Sequence, residues 1–353
     1  MGRFSLRGKL RRVSAIRIAI RKRFSKVKRS LHFARVMALG MLSTRRPLLV
    51  HIVPMRRCNL ACAYCNEYDN FSNPVPLDAM LRRVDKLASF GTAMITVSGG
   101  EPLMHPELDR IIAYIRERGV VSTLLTNGYL LTEQRIERLN RAGLEFMQIS
   151  IDNVNPDEVS KKSLKVLDRK LVLLARFAEF GVNVNSVIGS GIKHPEDAIV
   201  IARRASELGF TTSVGIVHNG KGNLEPLSDL EKGIYQTIKN IGTRNLGFLN
   251  RFEENLVQGK PNEWRCRAGA RYLYVDENGL VHYCSQQRGY PAVPLSDYSQ
   301  QDIRREYFTE KACAPYCTVA CVQRISFADS WRHPQVLHRE MPVSAKLEQR
   351  QQG

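Results

Sequence analysis

The sequence predicts an α/β fold in which a partial (β/α)6 TIM-like barrel precedes a small cysteine-rich C-terminal domain. From Leu48 to Val217, short runs rich in β-branched residues alternate with longer segments of helical periodicity. Strands that alternate with helices imply a parallel sheet with right-handed crossovers. Three of the eight cysteines lie between positions 58 and 65 and five between 266 and 321, with none between the groups. This grouping favours metal ligation in a reducing cytoplasm over a secreted disulfide framework.

Six strands and five intervening helices account for the barrel. The predicted strands are Leu48–Val53, Met94–Ser98, Ser122–Thr126, Phe146–Ile151, Val182–Ile188 and Thr211–Val217. The predicted helices are Leu77–Phe90, Pro106–Arg118, Thr132–Ala142, Lys161–Phe180 and Glu196–Leu208, with a further one near Asp229–Ile241. Acids such as Asp78 lie in the first turns of these helices and glycines such as Gly143 follow their last residues. Both features are typical of helix ends. Because parallel barrels carry their chemistry at the carboxyl ends of strands, we expect the functional residues directly after each strand.

The length of 353 residues and the hydrophobic content of 43% suit one large domain with a smaller one. We divide the chain into a basic amphipathic extension (1–46), the barrel core (47–220), a helical connector (221–262), the cysteine-rich domain (263–332) and a polar, partly disordered tail (333–353). No uncharged apolar run of about 18 residues occurs, and no secretory signal is recognisable. We therefore expect a cytoplasmic protein without a transmembrane helix.

The net charge of +19 is concentrated at the N-terminus. Residues 1–57 hold 17 Lys and Arg and no acid, which leaves 36 basic and 34 acidic residues in the remainder. Apolar residues recur there at steps of three or four and so share one helical face. They are Leu10, Val13, Ile16, Ile20, Phe24, Val27 and Leu31.

A basic amphipathic helix of this kind suits peripheral binding to an anionic membrane surface through residues 1–45. Two alternatives stay open: a helix that packs its apolar stripe on the catalytic domain, and a transit peptide. Specific nucleic-acid binding is not expected, because no aromatic interleaving or base-reading motif accompanies the charge.

Cys58, Cys62 and Cys65 have the spacing Cys-x₃-Cys-x₂-Cys and lie close enough for one metal cluster. An iron–sulfur cluster is usually held by four cysteinates, so three leave one iron open to another ligand. The alternative is a zinc knuckle that recruits a distant fourth ligand.

With Tyr64 before its last cysteine, this motif resembles the signature of the radical S-adenosylmethionine (SAM) enzymes. Gly99-Gly100-Glu101-Pro102 ends the second strand and resembles the family motif that contacts the SAM amino group. The resemblance covers about Leu48 to Val217, and the joint occurrence of both motifs disfavours zinc. It implies a 4Fe–4S cluster on the three cysteines, whose open iron is chelated by SAM. It also implies cofactor contacts for residues on or after the strands, namely Tyr64, Asn127, Ser150, Asp152, Ser186 and Ile188.

The C-terminal cysteines indicate a second metal site. Asn278-Gly279 lies between two alternating apolar runs and predicts a hairpin, which would bring Cys266 and Cys284 toward one another. With Cys313, Cys317 and Cys321, the arrangement resembles the SPASM and Twitch domains of radical SAM enzymes, which bind auxiliary 4Fe–4S clusters. Five thiols imply one auxiliary cluster.

The preferred ligands of that cluster are Cys266, Cys284, Cys317 and Cys321, with Cys313 as substitute or bystander. Alternatively the fifth thiol is catalytic or exchanges with a ligand when substrate binds. A structural zinc on the same four thiols is the competing interpretation.

The family resemblance implies a reaction. An external one-electron donor of flavodoxin or ferredoxin type reduces the first cluster, SAM is cleaved to methionine and a 5′-deoxyadenosyl radical, and the radical abstracts hydrogen from a substrate. The substrate stays unknown: peptide or protein maturation and small-molecule or lipid modification all remain open. His218, His282 and Glu67 are candidate bases. The alternative function is a non-catalytic metal-cluster or zinc scaffold.

Overall fold

The computed structural model describes residues 3–189, 191–217, 226–241 and 251–332, with side chains described from residue 21 onward except at 251 and 252. The α-helices are α1 (Arg3–Met41), α2 (Leu77–Ser89), α3 (Leu108–Glu117), α4 (Glu133–Ala142), α5 (Leu164–Phe177), α6 (Asp197–Glu207), α7 (Asp229–Ile241), α8 (Arg251–Val257), α9 (Gln300–Phe308) and α10 (Ala320–Phe327). The strands are β1 (Leu49–Ile52), β2 (Met94–Val97), β3 (Val121–Thr126), β4 (Phe146–Ser150), β5 (Gly181–Gly189), β6 (Thr211–Val217), β7 (Tyr272–Val275), β8 (Leu280–His282) and β9 (Pro291–Pro294).

One sheet contains all nine strands in the order β6-β5-β4-β3-β2-β1-β7-β8-β9. Strands β1 to β6 are parallel to their neighbours, as predicted, and the sheet stays open, so the partial barrel is confirmed. Each observed strand and helix of the barrel matches its predicted range to within a few residues. The predicted polar tail (333–353) lies outside the described residues.

The C-terminal segment continues the barrel sheet. Strand β7 pairs in parallel with β1, so that Leu49 faces both Met94 of β2 and Tyr272 of β7. The predicted hairpin is confirmed: β7 and β8 pair antiparallel around Gly279, which has a φ of +83°. Sequence analysis did not foresee the pairing with β1, because it joins segments that lie far apart in the chain.

The main hydrophobic core lies between one face of the sheet and helices α2 to α6. Alternate strand residues such as Val50, Ile95, Leu124 and Val184 are fully buried in it, together with helix residues such as Leu171. The period of two in the strands leaves the opposite face turned away from the helices. That second face is the inner face of the partial barrel.

Helix α1 closes the amino-terminal end of the sheet. Lys22 Nζ donates to Ala175 O at 2.5 Å, and Arg29 donates to Glu179 O at 2.5 Å just before β5. Farther along, His32 Nδ1 lies 2.9 Å from Glu145 Oε1, just before β4. Although α1 is 39 residues long, the described helices include none with the length and apolarity needed to cross a bilayer.

A buried arginine ties the end of α1 to the C-terminal segment. Arg271 is fully buried, and its Nη1 donates to Gly40 O at 3.1 Å and to Ser43 O at 2.6 Å. Its Nε lies 2.8 Å from Asp329 Oδ2, which is also fully buried. A buried charge is costly unless it is paired. The buried Arg271 guanidinium and the buried Asp329 carboxylate therefore each need the other as a partner.

We predict that Arg271→Ala lowers the free energy of unfolding by about 3–5 kcal/mol, because it leaves Asp329 buried without its ion-pair partner. Urea unfolding followed by circular dichroism measures the loss. The matched control is Arg82→Ala, which removes an exposed pair with Asp78 and should cost less than about 1 kcal/mol. Equal losses in the two variants would contradict the prediction.

Candidate functional site

The loop after β1 carries the three cysteines of the predicted cluster. Cys58 N–H donates to Asp69 O at 3.0 Å and Cys65 N–H to Cys62 O at 3.0 Å, so the loop folds back on itself. Cys62 is buried and the other two thiols are partly buried. Burial raises the pKa of Cys58 to about 11, with smaller contributions from the negative charge of Glu101, Cys65 and Cys62.

The Gly99-Gly100 pair holds the cysteine loop against the end of β2. Gly100 N–H donates to Met55 O at 3.1 Å. A Cβ on Gly100 would lie 2.2 Å from Arg56 O, and a Cβ on Gly99, where φ is +114°, would lie 2.8 Å from Met55 O. Only glycine tolerates these contacts and this φ. The close approach that two glycines permit is therefore made to the backbone that enters the cysteine loop.

Glu101 is fully buried and fixes two neighbouring turns. Its carboxylate accepts hydrogen bonds from Thr126 Oγ1 at 2.6 Å, from Asn127 N–H at 2.8 Å and from Leu103 N–H at 3.0 Å. Burial raises the pKa of Glu101, and these three bonds oppose that rise. Asn127 in turn donates to Asn59 Oδ1 at 2.8 Å inside the cysteine loop. The predicted contact of Glu101 with a ligand ammonium stays a prediction.

Tyr64 belongs to a buried polar cluster beside the cysteines. Its hydroxyl donates to Asp152 Oδ2 at 2.5 Å and accepts from Lys162 Nζ. Lys162 Nζ lies 3.0 Å from Asp152 Oδ2, and Ser160 Oγ donates to the same oxygen at 2.7 Å. Ser160 Oγ also lies 3.6 Å from Cys62 Sγ. Burial alone would lower the pKa of Lys162, but the Asp152 carboxylate raises it well above its usual value, so the ammonium stays charged.

Three buried polar atoms that directly follow β2 and β4 have no hydrogen-bond partner among the described residues. They are Asp152 Oδ1, Asn153 Oδ1 and Ser98 Oγ, at the carboxyl ends of β4 and β2. Buried polar atoms are nearly always satisfied in folded proteins, so unpaired ones here point to a ligand or bound water. The surroundings of the cysteine loop thus offer thiols, one buried cation and free acceptors.

The inner face of β4, β5 and β6 carries uncharged polar side chains. Asn183 Nδ2 donates to Ser213 Oγ at 2.8 Å, and Ser213 Oγ donates to Asn185 Oδ1 at 2.8 Å. Gln148 of β4 lies on the same face and is partly exposed, like these three residues. This wall can exchange hydrogen bonds with a ligand inside the barrel.

The C-terminal cysteines gather beside β7 and β8. Cys266 and Cys284 are buried in one apolar cluster. Cys317 lies within electrostatic range of Cys266, Cys284 and Cys313, and their negative charge adds to the burial that raises its pKa. The same neighbours act on Cys284, whose pKa burial raises to about 12. Cys266, Cys284, Cys313 and Cys317 are thus electrostatic neighbours, although Cys313 is exposed.

Cys321 differs from that group. Burial raises its pKa to about 11, opposed mainly by a hydrogen bond that Tyr272 donates to its thiol. Among the described residues, no three His, Cys, Asp or Glu side chains converge on a point suited to a single metal ion. The charge of Cys313 thus acts on Cys317 and Cys284, whereas Cys321 packs on the apolar cluster that contains Cys266 and Cys284.

Comparison with protein families identifies the chain. The family model described as the radical SAM superfamily matches residues 52–230, about half of the sequence. The chain belongs to the radical SAM superfamily. The matched range begins in β1 and runs through the cysteine loop, the Gly99-Gly100 turn and the inner wall. The residue motifs that resembled this superfamily therefore lie in the matched part.

Curated relatives match this radical SAM chain over part of their length. An Fe-coproporphyrin III synthase of Methanosarcina barkeri is 33% identical over 36% of this chain and 33% of its own. An AdoMet-dependent heme synthase of the same organism is 30% identical over 47% of this chain and 49% of its own. A PqqA peptide cyclase of Xanthomonas oryzae pv. oryzae is 34% identical over 33% and 32%. The chain thus spans a third to a half of the length of these relatives.

Solved structures share the fold. Streptococcus suis SuiB bound to its precursor peptide SuiA superposes with a TM-score of 0.55 at 16% identity, over 85% of this chain and 76% of that one. The protein anSMEcpe, with bound AdoMet and the Cp18Cys peptide, also gives a TM-score of 0.55, at 14% identity over 82% and 98%. At such identity the likeness shows a common fold.

The remaining predicted SAM contacts divide into two groups. Ser150 ends β4 on the inner face and Pro102 opens the buried turn after Glu101. Ser186 and Ile188 share the other face of β5, where Ile188 packs on Ala198 and Ala202 of α6. The structure therefore does not bring Ser186 and Ile188 to the cluster around Asp152, and their cofactor role stays a prediction.

The candidate bases have other partners. His282 Nδ1 accepts from Gly289 N–H at 3.0 Å, which leaves Nε2 to donate to Asp276 Oδ2 at 3.0 Å. The Glu67 carboxylate accepts from the Tyr274 hydroxyl. His218 lies outside the described residues. Sequence reasoning missed Lys162, because a lysine in a polar loop after β4 carries no motif.

Proposed function

We propose that this chain is a radical SAM enzyme that cleaves SAM reductively and abstracts hydrogen from a substrate carbon. The observation that carries the proposal is the loop after β1 that carries Cys58, Cys62 and Cys65, bordered by the largely buried Lys162 and by unpaired acceptors. Once an external one-electron donor of flavodoxin or ferredoxin type has reduced it, a 4Fe–4S cluster supplies the electron that converts SAM into methionine and a 5′-deoxyadenosyl radical.

The donor set fits such a cluster. Cys58, Cys62 and Cys65 would hold three irons as thiolates and leave the fourth iron to SAM. Metal binding deprotonates a coordinating thiol, so the raised pKa of Cys58 does not prevent ligation. The two glycines hold the loop in place, and Asn127 links it to the fully buried Glu101.

Lys162 is the proposed anchor of the SAM carboxylate. It is the cation of the cluster beside the cysteines, with a side chain only 12% exposed, and a charge-assisted hydrogen bond to a carboxylate is among the stronger ones. Tyr64 and Asp152 hold its ammonium in place. The free Oδ1 of Asp152 can accept a hydrogen bond from another polar group of SAM.

The first test is Cys62→Ala in anaerobically reconstituted protein. We predict that the variant produces no 5′-deoxyadenosine from SAM under reduction, because the cluster loses one of its three protein ligands. Chromatography of the acid-quenched reaction measures the product, and the unsubstituted chain is the control. Undiminished product from the variant, or none from the intact chain, would support a non-catalytic scaffold instead.

The second test concerns SAM affinity. We predict that Lys162→Met weakens SAM binding by roughly 10- to 100-fold, the equivalent of about 1.5–3 kcal/mol for a hydrogen bond to a charged group. Equilibrium dialysis with reconstituted protein measures the dissociation constant. The adjacent, exposed Lys161 provides the matched control, and Lys161→Met should bind SAM normally. Lys162→Arg keeps the charge and should recover part of the affinity; equal affinities in all variants would contradict the role.

The C-terminal cysteines support a proposed auxiliary 4Fe–4S cluster in a SPASM- or Twitch-like segment. The electrostatic neighbours of Cys317 favour Cys266, Cys284, Cys313 and Cys317 as ligands. This set differs from the sequence-based one by Cys313 in place of Cys321. The fifth thiol, Cys321, would then remain paired with Tyr272.

Iron counts distinguish the two ligand sets. With two 4Fe–4S clusters the intact chain should hold about eight irons after reconstitution. We predict that Cys313→Ser falls to about four irons, whereas Cys321→Ser keeps about eight. The opposite pattern would restore the sequence-based set, and about four irons in the intact chain would contradict an auxiliary cluster. A zinc site would show as zinc in the same metal analysis.

The substrate proposal rests on the inner wall. Asn183, Asn185, Ser213 and Gln148 offer amide and hydroxyl groups without charge, which suits a hydrogen-bonding substrate such as a peptide. A peptide is also named for the PqqA cyclase among the relatives. We further propose peripheral association with an anionic membrane surface through residues 1–45.

A further inference from the structure

Helix α1 has two distinct faces from residue 21 onward. The face toward the barrel contains the half-buried Lys22, Ser25, Arg29 and His32, spaced by three or four residues. These side chains contact backbone carbonyls and the carboxylates of Glu179 and Glu145. The helix therefore docks through polar side chains over residues 22–32, while Phe33 contacts Phe146 and Val36 and Met37 pack on the core nearer its C-terminal end.

The apolar stripe of α1 points away from the barrel. Phe24, Val27 and Leu31 are 70%, 54% and 68% exposed. Their spacing continues the apolar residues at 10, 13, 16 and 20 of the sequence. Packing of the stripe on the catalytic domain, one of the open alternatives, is thus contradicted for its described members. Three large apolar side chains in a row on an exposed helix face mark an interaction surface.

The charges around this stripe identify the partner. Exposed cations lie on the same outer side of α1, namely Arg23, Lys26, Lys28 and Arg35. The first 66 residues contain no acid. A straight line of apolar side chains with flanking cations fits a flat surface that is apolar below and anionic above, which describes the headgroup region of an acidic bilayer. The same row of side chains fits a concave pocket of a partner protein less well, because it lies along one side of a single long helix.

We infer that α1 binds an anionic lipid surface with Phe24, Val27 and Leu31 inserted and the barrel held above it in a fixed orientation. The inward face of α1 contacts residues that precede strands: Glu145 before β4 and Glu179 before β5. The cysteine loop and Asp152 instead follow strands, at the opposite end of the sheet. The mouth of the candidate site therefore opens away from the lipid, and substrate reaches it from the aqueous side.

Vesicle co-sedimentation of the full chain tests the docking. The probes are vesicles of phosphatidylglycerol mixed with phosphatidylcholine, and vesicles of phosphatidylcholine alone. We expect the intact chain to bind the anionic vesicles. The fraction bound should fall at least tenfold at 0.5 M salt, because salt screens the charge attraction. It should also fall at least tenfold in a variant with Phe24→Ser, Val27→Ser and Leu31→Ser. Equal binding by that variant, or no binding by the intact chain, would overturn the inference and leave an acidic protein as the occupant to seek.

A matched control separates loss of docking from loss of folding. Val166, Val172 and Val200 are exposed on helices α5 and α6, and their joint replacement by Ser should leave vesicle binding unchanged. Both triple variants should keep the melting temperature and iron content of the intact chain. Vesicle binding requires neither SAM nor reduction. A failure to bind vesicles is therefore distinguishable from a failure of the proposed enzymatic function. Only the statement about substrate access rests on that proposed function.

Fluorescence quenching by brominated phosphatidylglycerol tests the orientation. We expect a tryptophan introduced by Val27→Trp to be quenched above the background of the two native tryptophans. A tryptophan introduced by Phe71→Trp, in the exposed loop after the cysteines, should not be quenched. Quenching at position 71 equal to that at position 27 would contradict the orientation.

Discussion

The pairing of β1 on both of its edges is the constraint on which the positions of both cysteine groups depend. Strand β1 has β2 on one side and β7 on the other, with Leu49 opposite Met94 and Tyr272 in the same row. A one-residue slip in such a register would reverse the face of every side chain. The loop that follows β1 carries Cys58, Cys62 and Cys65. Strand β7 is the first strand of the hairpin between Cys266 and Cys284. One strand therefore fixes the two thiol groups relative to each other.

The site beside β1 combines rigid backbone contacts with an incomplete set of polar contacts. The backbone of Gly99 and Gly100 and the carboxylate of Glu101 contact protein groups. These contacts keep the cysteine loop in a fixed position. The Asp152 cluster retains an unpaired acceptor and a buried ammonium. Low polarity strengthens a charge interaction there, and it also makes an unpaired group costly. A zwitterionic ligand such as SAM would satisfy both groups at once, which is why this cluster fits the radical SAM family better than a structural role does.

Sequence patterns predicted the barrel because each βα unit is defined locally. The alternation of β-branched and helical runs, with Gly143 as a left-handed helix end, depends on near neighbours only. The pairing of β7 with β1 and the position of Lys162 depend on long-range folding. Lys162 reaches the cysteine loop because residues 153–163 fold over it, with Ala63 N–H bonded to Val159 O at 2.9 Å. The direction in which the apolar stripe of α1 points is likewise set by long-range contacts, because the opposite side of the helix contacts Glu145 and Glu179.

The two ends of the sheet have different chemistry. The inward side chains of α1 lie at the amino-terminal end of the strands, where Arg21 pairs with Glu179, Lys22 and Arg29 donate to backbone carbonyls, and His32 hydrogen-bonds Glu145. The thiols of the loop after β1 lie at the carboxyl-terminal end, whereas Cys266 and Cys284 flank the hairpin at the amino-terminal end of β7, in one apolar cluster with Val36 and Met37 of α1. Exposed charges separated by more than the Debye length of about 8 Å are largely screened. The cations on the outer side of α1 and the thiols of the loop after β1 therefore lie at opposite ends of the sheet, so a surface bound by α1 would act on the C-terminal thiols more directly than on Cys58, Cys62 and Cys65.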